Sequence, residues 1–493
     1  MENLIQQRKE KLRLLREKEI VPYPNQFSVS HTTARIKEVY QHLQKGEHAA
    51  EKVSLAGRMV AIREMGKASF AHLQDAVGRT QIYLKSDILG EEHYDVFSHL
   101  IDLGDYLGVE GTVFVTRTGE LTLRVEKLTL LAKSLRPLPE KWHGLKDVEV
   151  RYRQRYLDLI SNEAVRNVFY TRSRIIAALR EYLNTNGFLE VETPMMQSIP
   201  GGAMASPFIT HHNALDMELY LRVAPELYLK RLVVGGYEKV YEVGKNFRNE
   251  GIDTRHNPEF TMLEVYQAYV NCAAMQGLCQ TLILNISDKV LATREIEYNG
   301  KKISLQPPWE SKPLFKLIEE HTGRDFSQIP ETDWGTAAKE LAVPLETAVT
   351  PGKILDHVFD VKVKPHLVNP IFVTDYPKSI SPLAKARLDN PALVERFELF
   401  IAGEELANAY SELNDPIEQR NRMEEQARNK GAQEEFSQFV DEDYLTALEY
   451  GLPPCGGLGV GIDRLTMILT GIPSIREVIL FPLLRKKNNV EGE

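Results

Sequence analysis

The sequence has 493 residues, which predicts two to four domains at roughly 100–200 residues per domain. With 43% apolar, 26% charged and 8% aromatic residues, its composition excludes a disordered chain, a collagen-like fibre and a disulfide scaffold. The formal net charge of −9 argues against a general nucleic-acid binder, because such proteins usually carry a basic excess.

The cysteines and the apolar segments of the sequence indicate in which cellular compartment the protein resides. Only three cysteines occur and none forms a CxxC pair, which favours a reducing environment and argues against a structural zinc site. The N-terminus lacks the apolar core of a signal peptide, and no apolar run approaches 18 residues. We therefore expect a cytoplasmic protein without membrane contact.

The chain opens with a charged helical pattern over residues 1–20, which ends before Pro22 and Pro24. Residues 8–18 hold six basic and two acidic side chains, a local charge of +4. Two interpretations stay open for this segment: a solvated helix, or a basic arm that contacts phosphates.

Residues 53–131 predict a small β-barrel of the OB type. Five short strand-like runs separated by glycine turns are typical of that fold, which often binds single-stranded nucleic acid. Phe70, His72 and Gln74 alternate along one strand, so a stacking ring and two hydrogen-bonding groups could share a face. Packing inside the barrel is an equally good explanation of Phe70.

The domain boundaries follow from the change in pattern. Residues 1–135 form the helix and barrel, and 136–155 form a linker with six basic and three acidic residues. Residues 156–493 form a second domain that begins with a helix over 163–184. We expect an inserted region around 271–385, which carries no chemistry recognisable from its residues.

Two clusters of the second domain are strand–loop–strand or helix–strand junctions. In residues 187–195 a helix ends at a glycine and a strand runs to Pro194. Residues 241–269 predict two strands around a polar loop, with Arg248 and Glu250 near the end of the first. The residues on one face of the returning strand are Phe260, Glu264 and Tyr266. An arginine and a ring on such a platform could bind a phosphate and a base; the alternative is a hairpin with surface charge.

A third cluster, residues 451–465, is rich in glycine but is neither a GxGxxG fingerprint nor a GK[ST] loop. Arg464 lies near the N-terminus of the helix that follows, where guanidinium and helix dipole could act together on a phosphate.

Residues 397–412 predict a hairpin that turns near Gly403. Glu398 and Glu405 could meet across it and bind Mg²⁺, which proteins usually hold with one or two carboxylates and phosphate oxygens. A solvated acidic edge is the alternative. The residues that share one face of the second strand are Asn408, Tyr410 and Glu412.

The clusters at 187–195, 241–269 and 451–465 resemble motifs 1, 2 and 3 of class II aminoacyl-tRNA synthetases. Almost the whole chain is similar to class II lysyl-tRNA synthetases of the bacterial type. The resemblance implies an α+β fold: an antiparallel six-stranded catalytic sheet flanked by helices, and an OB barrel that reads the anticodon. It also implies ATP-dependent activation of L-lysine, transfer to the 3′ end of tRNA(Lys), and a homodimer formed through motif 1; DNA is not an expected partner.

The resemblance assigns roles to individual residues. Arg248 would hold the α-phosphate, Phe260 would stack on adenine and Arg464 would bind the γ-phosphate; the two arginines are the expected catalytic residues. Glu398 and Glu405 match the magnesium ligands. The full set of expected ATP contacts is Arg248, Glu250, His256, Phe260 and Arg464.

The expected lysine site joins three groups of contacts. The α-amino contacts are Gly202 and Glu264; the carboxylate contacts are Asn408 and Arg248; the ε-ammonium contacts are Glu226, Tyr266 and Glu412. Two carboxylates and a phenol supply the opposing charge and hydrogen bonds that a buried ammonium needs. The expected anticodon contacts are Phe70, Gln74 and Glu120.

The chain departs from the pattern of the family at three positions near the expected site, where Ser206 and Glu404 replace the usual arginine and Cys455 the usual threonine. These departures motivate an alternative: a specialised copy, for instance one with altered inhibitor sensitivity. A non-catalytic RNA-binding regulator is a further alternative, although such a protein would not need the charges of Arg248 and Glu398. A lysine-adenylating ligase that modifies proteins would lack the barrel.

Overall fold

The computed structural model describes residues 1–139, 145–203, 205–345, 350–429 and 440–486. The chain divides into two compact units, Met1–Lys146 and Asp147–Glu493. This boundary falls inside the segment 136–155 that the sequence predicts as a linker. Helix already begins at Val148, and residues 140–144 of the predicted linker lie outside the described residues.

The first unit combines short helices with five strands that carry the barrel. Its elements are α1 Glu2–Glu17, α2 Thr33–Tyr40, β1 His48–Glu64, β2 Ala68–Gln74, β3 Arg79–Lys85, α3 Ser86–Leu89, α4 Glu91–Leu100, β4 Tyr106–Val115 and β5 Leu121–Ala132.

The strands close into a barrel in the order β1-β2-β3-β5-β4, with β3 parallel to β5 and the other pairs antiparallel. Alternate side chains point inward; Ile82 and Leu84 of β3, for example, are completely buried. The predicted OB barrel is confirmed, because alternation with a period of two and glycine turns locate its strands without tertiary information.

Helix α1 is fastened to its own unit. Leu15 is completely buried in the barrel core. The Arg8 guanidinium donates hydrogen bonds of 3.0 Å to the carbonyl oxygens of Leu103, Ser134 and Arg136. Lys11 pairs with Asp102 at 2.8 Å. Arg8 and Lys11 are thus neither simply solvated nor free to contact phosphates, the two interpretations left open for residues 8–18. They hold the helix in place.

The second unit contains the remaining elements. Its helices are α5 Val148–Arg153, α6 Arg155–Ser161, α7 Glu163–Thr185, α8 Glu226–Val234, α9 Cys272–Val290, α10 Leu314–Thr322, α11 Trp334–Glu340, α12 Pro351–Lys362, α13 Pro416–Asn429, α14 Glu442–Glu449, α15 Ile462–Thr470 and α16 Ile475–Val478. Its 3₁₀ turns are Phe326–Gln328, Glu331–Asp333, Lys364–His366 and Lys378–Ile380. Its strands are β6 Leu189–Glu190, β7 Met196–Gln197, β8 Phe208–His212, β9 Met217–Leu221, β10 Lys239–Phe247, β11 Glu259–Ala268, β12 Glu295–Tyr298, β13 Lys301–Ser304, β14 Glu310–Pro313, β15 Ile371–Thr374, β16 Arg396–Ile401, β17 Glu404–Ser411 and β18 Cys455–Gly461.

An eight-stranded sheet organises this unit, in the order β14-β15-β16-β17-β18-β11-β10-β6. The six strands from β15 to β10 pair antiparallel, and the short edge strands β14 and β6 each pair parallel. The expected antiparallel six-stranded sheet is therefore present, extended at both edges. Two smaller sheets, β7-β9-β8 and β12-β13, lie outside it.

One face of the large sheet packs against helices. Leu263, Val265, Leu458 and Val460 join the core formed with α7, α9 and α15. The apolar face expected for α15 is confirmed, since Ile462, Leu465 and Leu469 are at most 5% exposed. Within the described residues, no helix has both the length and the apolar character needed to cross a membrane.

The region 271–385, which the sequence predicts as an insertion, is partly integral to this core. It supplies α9, which packs on the sheet, and β15, which pairs with β16. Tyr298, Ile303 and Trp309 also belong to this core, whereas helices α10 to α12 pack in a second core that includes Trp334 and Phe359. The four-residue strand β15 is too short and too uniformly apolar to show a period in the sequence.

Candidate active site

The face of the sheet turned away from α7 and α9 carries polar side chains in register. One row crosses five strands, because Glu264 pairs with Glu242 and Gly459, and Asn408 with Gly459 and Glu398. The next row holds Tyr266, Gly457, Tyr410 and Arg396. Residues that are remote in sequence thus meet on one antiparallel platform.

Glycines form the floor between the two sides of this platform. A Cβ atom at Gly457 would lie 2.0 Å from Oε1 of Glu412 and 2.7 Å from Cε1 of Tyr266. A Cβ at Gly459 would lie 3.2 Å from Cε of Met262. The glycine-rich cluster is therefore neither a phosphate loop nor a turn: it is the central strand β18, whose glycines present only backbone to this face and let Glu412, Tyr266 and Met262 approach it. We call the strip of backbone from Gly457 to Gly459 the trough.

A buried acidic pocket lies at one end of the trough. Glu226, at the start of α8, is 6% exposed and accepts a 2.6 Å hydrogen bond from the Tyr410 hydroxyl. Glu412, 1% exposed, follows β17. Neither oxygen of Glu412 has a hydrogen-bond partner of good geometry among the residues that the structure describes, but Oε2 forms an ion pair with Lys230. A buried carboxylate oxygen without a donor is costly, so Oε1 marks a place for a ligand that donates hydrogen bonds.

Lys230, which was not predicted from the sequence, lies between these two carboxylates. Its ammonium lies 2.7 Å from Oε1 of Glu226 and forms an ion pair with Glu412. Although burial acts to lower the pKa of Lys230, the charges of Glu226 and Glu412 hold that pKa well above its usual value. The spacing of four residues from Glu226 was a helical signal, but it could not show that the pair is buried.

Glu264 lies between this pocket and the rest of the trough. Burial raises its pKa to about 8, and the nearby charges of Glu226 and Glu242 act in the same direction. A hydrogen bond from the Tyr266 hydroxyl, 3.3 Å from Oε2, and the charge of Arg222 oppose the rise. Burial therefore favours the protonated form of Glu264 near neutral pH, and a neighbouring cation would favour the carboxylate.

A second cavity, of about 140 Å³, adjoins the trough at the end where β10 and β11 join. Arg248 lies over the Phe260 ring, with its guanidinium carbon 5.1 Å from the ring centroid. All five residues expected to contact ATP line this cavity. Its lining includes Arg248, Glu250, Arg255, His256, Phe260, Glu405, Asn408, Gly459 and Arg464.

Arg464 lies in the first turn of α15 and faces the cavity from the side opposite Arg248. Its guanidinium donates to the Glu405 carbonyl oxygen at 2.8 Å and lies 3.4 Å from both Oε2 of Glu405 and Nε2 of His256. Nε of Arg248 is buried and has no hydrogen-bond partner within the described part of the chain. Two guanidinium groups and a helix N-terminus thus present positive charge to the same space.

A bulge in the hairpin turns Glu405, which lines this cavity, to the same side as Glu398. The β16–β17 register shifts by one residue between Leu399 and Phe400, so Leu406 and Ala407 both enter the core. Glu405 therefore faces the same side as Glu398, against the period of two. Tyr376 donates a 2.8 Å hydrogen bond to Oε2 of Glu398.

This carboxylate pair fits a magnesium ion. Burial raises the pKa of Glu398 to about 7, and the charge of Glu405 adds to the rise while Arg396 opposes it. A divalent cation would offset both the burial of Glu398 and the negative charge of Glu405. The described residues contain no cluster of three or more His, Cys, Asp or Glu side chains that could hold a metal alone, so phosphate oxygens would complete this site.

Comparison with known proteins agrees with this geometry. Residues 147–485 match the family model "tRNA synthetases class II (D, K and N)", and residues 53–131 match "OB-fold nucleic acid binding domain". The chain belongs to the class II tRNA synthetases. It is 55% identical over 489 residues to the Lysine--tRNA ligase of Carboxydothermus hydrogenoformans, covering 99% of each chain.

Other relatives of this class II chain carry the same name. The Lysine--tRNA ligase of Moorella thermoacetica is 54% identical over 486 residues and 98% of each chain. That of Bacillus subtilis is 50% identical over 98% of this chain and 97% of its own. Nothing in the comparisons favours an RNA-binding regulator or an inhibitor-resistance copy.

The residues that the sequence analysis assigned to lysine fall into two connected places in this class II site. Gly202 adopts a φ of +89°, and a Cβ there would lie 3.4 Å from Cβ of Glu226. It therefore lines the acidic pocket with the carboxylates already described. Asn408 and Arg248 lie at the nucleotide cavity instead, which places the two groups at opposite ends of one trough.

Several functional side chains of this synthetase escaped the sequence analysis. Tyr376 and Asp356 come from the region that offered no recognisable chemistry. Burial raises the pKa of Asp356 to about 6, an effect that Arg396 opposes and the charge of Glu405 reinforces. Arg396 also donates a 3.0 Å hydrogen bond to Oδ1 of Asn408. Only the three-dimensional fold brings Asp356, from α12, near Arg396 and Glu405 of the β16–β17 hairpin.

The departures from the family pattern are accommodated locally. Glu404 is 4% exposed, and Arg255 of the β10–β11 loop pairs with it at 3.0 Å. The extra negative charge beside Glu405 is thus neutralised by a loop residue that also lines the cavity. Cys455 is 2% exposed, and Ser206 accepts a backbone hydrogen bond from Asn249.

The residues expected to read the anticodon differ in accessibility. Phe70 is half-buried, and its ring centroid lies 4.9 Å from that of Tyr83. Glu120 is exposed and lies 3.5 Å from Nε2 of His72. Gln74 is only 7% exposed, and its side-chain oxygen accepts a 2.8 Å hydrogen bond from Arg79. The Gln74 side chain is therefore less accessible to a bound RNA than the side chains of Phe70 and Glu120.

Proposed function

We propose that this chain activates L-lysine with ATP to lysyl-adenylate and transfers the lysyl group to the 3′ end of tRNA(Lys). The observation that carries the proposal is a buried acidic pocket, with one unpartnered carboxylate oxygen, joined by a glycine-floored trough to a cationic cavity. The 50–55% identity to proteins named Lysine--tRNA ligase supports the same activity.

The lysine side chain would lie in the trough with its ε-ammonium at Oε1 of Glu412. Tyr266 and Glu226 would complete the ring of acceptors around that ammonium. Gly202 and Glu264 would receive the α-amino group, nearer the middle of the trough. A site that matches an ammonium with buried acceptors can reject analogues without it by about 10⁴–10⁵-fold.

The carboxylate of lysine would point to Asn408 and Arg248. Because Arg396 donates to Oδ1 of Asn408, the amide nitrogen of Asn408 is left to donate to the substrate. This orientation supports the assignment of Asn408 as a carboxylate contact.

Arg248 and Arg464 are the proposed catalytic residues, with Glu250, His256 and Phe260 as further ATP contacts. The substrate carboxylate is already an anionic nucleophile, so no general base is needed. One of its oxygens forms a bond to the α-phosphorus, and the bond from that phosphorus to the bridging oxygen of pyrophosphate breaks. The guanidinium groups would hold the phosphates in line and neutralise the charge that develops.

Glu398 and Glu405 are the proposed magnesium ligands. Bound there, Mg²⁺ would supply charge neutralisation for the phosphate oxygens of ATP. Tyr376 holds one Glu398 oxygen in place, and Arg464 and the carbonyl oxygen of Glu405 fix the neighbouring segment. These contacts orient the carboxylates before the nucleotide arrives.

Reading of the anticodon is the proposed role of the barrel. Phe70 and Tyr83 form part of a series of half-buried or exposed rings that continues to Phe114 and His48. Such rings can stack on unpaired bases, which suits a unit without strong positive charge. Phe70 and Glu120 are the better placed of the expected contacts, and Gln74 stays a prediction.

A homodimer formed through the motif 1 region is also proposed. Edge strand β6 and nearby segments of the sequence expose several large apolar side chains, and exposed apolar surface commonly marks an interface. The cytoplasm as the compartment, and the absence of DNA as a partner, stay predictions from the sequence. The exposed apolar residues of this region include Tyr170, Leu189, Met195, Met196, Ile209 and Leu215.

Amino-acid-dependent exchange of pyrophosphate into ATP tests the proposed activity. The intact chain is assayed with each of the twenty amino acids, and with ornithine, in the presence of Mg²⁺. We expect exchange with L-lysine well above that with ornithine, arginine or methionine. Exchange with another amino acid and none with lysine would reassign the pocket.

A further inference from the structure

Lys230 is a fully buried lysine at the end of a pocket that itself is proposed to bind lysine. None of its side chain is exposed, and its ammonium is shared between Glu226 and Glu412. The rings of Tyr410 and Tyr444 lie 5.6 and 5.9 Å from its Nζ, so aromatic faces complete the surroundings. The pocket therefore holds one cation of its own before any substrate arrives.

The two carboxylates come from different elements, and Lys230 is what joins them. Glu226 begins α8, and Glu412 lies just beyond β17. Two carboxylates close enough to share one ammonium repel each other, so one of them would take up a proton if that cation were absent. Lys230, one turn after Glu226, supplies the compensating charge from the same helix.

The two oxygens of Glu412 serve different purposes. Oε2 faces Lys230, whereas Oε1 lies against Gly457 and the Tyr266 ring and lacks a donor. Burial raises the pKa of Glu412 well above its usual value, an effect that the charge of Lys230 opposes and that of Glu226 reinforces. Without Lys230 the neutral carboxyl would be favoured further, and a neutral carboxyl binds an ammonium far more weakly than a carboxylate does. The resident cation therefore acts on the substrate through Glu412, without touching it.

We propose that Lys230 is a positioning residue for substrate lysine: its ammonium bridges Glu226 and Glu412, holds the two carboxylates in place, and turns Oε1 of Glu412 toward the substrate ammonium. This inference rests on the proposed function and adds a residue to it. It makes the lysine pocket a site for two ammonium groups, of which the chain provides one.

The direct test is Lys230→Met, which keeps a long unbranched side chain and removes the charge. We expect the KM for lysine in pyrophosphate exchange to rise at least about tenfold, while the KM for ATP changes less than about threefold. Lys289→Met makes the same replacement at an exposed lysine on α9 and should leave both constants unchanged. An unchanged lysine KM, or a parallel rise of both constants, in Lys230→Met would overturn the inference.

The double variant Lys230→Met with Glu226→Gln covers the case in which the single variant does not fold. It removes one positive and one negative charge together, so the net charge of the pocket is unchanged. We expect its lysine KM to lie well above that of Glu226→Gln alone, because in the single variant Lys230 still holds Glu412 and in the double variant nothing replaces it. Equal lysine KM values in the two variants would contradict the positioning role.

The unchanged chain separates this inference from the function on which it rests. If it gives no lysine-dependent exchange, the proposed function fails and this inference fails with it. If it exchanges with lysine and Lys230→Met does so with the same KM, only the inference about Lys230 fails.

Discussion

Glu264 shows at the scale of a single residue how burial prepares a site for its ligand. Burial favours its protonated form near neutral pH, in a pocket whose other acids are Glu226, Glu242 and Glu412. A substrate ammonium placed beside it would favour the carboxylate, so binding below a pH of about 8 requires loss of a proton.

This linkage predicts how lysine affinity depends on pH. Because the pKa of Glu264 is raised in the empty pocket, the binding-competent carboxylate is scarce below that pKa and dominant above it. We expect the Kd for lysine to fall on the order of tenfold between pH 6.5 and 8 and then to level off. Isothermal titration in buffers of different ionisation enthalpy measures both the Kd and the proton released. Glu264→Gln should bind more weakly with a flat profile; an equally steep profile in that variant would assign the linkage to another group.

Gly457 shows the opposite means of building a pocket, by leaving out a side chain. Gly457→Ala puts a Cβ against Oε1 of Glu412, where the substrate ammonium is expected. We predict that lysine binding is lost, whereas ATP binding, measured by the fluorescence of a nucleotide analogue, is kept.

Gly277→Ala is the matched control, since nothing lies within 4 Å of its Cβ on helix α9. It should raise stability by about 0.5–1 kcal/mol and leave both ligands unaffected. Undiminished lysine binding by Gly457→Ala would move the substrate out of the trough.

Among the elements, helix α1 depends on a few polar contacts for its attachment to the barrel. Arg8→Ala removes the donor for three carbonyl oxygens, so we predict a loss of about 1–3 kcal/mol in the stability of the first unit. Hydrogen exchange of β5 measured by mass spectrometry would report the loss. Arg16→Ala, on the exposed side of the same helix, should have little effect. Equal protection in both variants would mean that the guanidinium contacts contribute nothing.

The elements also show which parts of the fold the sequence could predict. The barrel strands and the β10–β11 hairpin alternate clearly, and local turns fix their ends. Strand β18 was not recognisable, because glycine disfavours strands and the reason for its glycines is a contact with Glu412, remote in sequence. The bulge that turns Glu405 toward Glu398 is likewise a property of the pairing between strands.

The candidate site likewise has a part that the sequence could predict and a part that it could not. The residue types expected for ATP and lysine could be assigned from motifs, and the structure gathers them along one trough. Lys230 and Asp356 could not, since each lies on a helix whose sequence looks like that of a charged surface helix. Their role depends on burial against partners from other elements, which a single sequence does not encode locally.

At the scale of the whole molecule, the exposed apolar side chains around β6 predict self-association. We expect the chain to sediment as a dimer at micromolar concentration, and Leu189→Glu to shift it toward monomer by placing a charge in the interface. Leu388→Glu is the control, because Leu388 is 94% exposed and lies away from this region in sequence. A dimer that survives Leu189→Glu, or one disrupted equally by Leu388→Glu, would place the interface elsewhere.

The net charge of −9 takes on a different meaning once its placement is known. Acidic side chains concentrate where a cationic substrate and magnesium are expected, in Glu226, Glu264, Glu398, Glu405 and Glu412. The acidic balance therefore does not argue against RNA binding, since the barrel can read bases through its rings. The net charge alone argued against a nucleic-acid-binding protein. The positions of the acidic side chains remove that objection.

Charging of transfer RNA tests the central claim most directly. The intact chain is incubated with ATP, Mg²⁺, unfractionated bacterial tRNA and each radiolabelled amino acid in turn, and acid-precipitable label is counted. The account predicts that lysine alone is attached, that the label is found on tRNA(Lys), and that Phe70→Ala in the barrel reduces charging more than it reduces pyrophosphate exchange. Attachment of a different amino acid, or lysine activation without transfer to any tRNA, would contradict it.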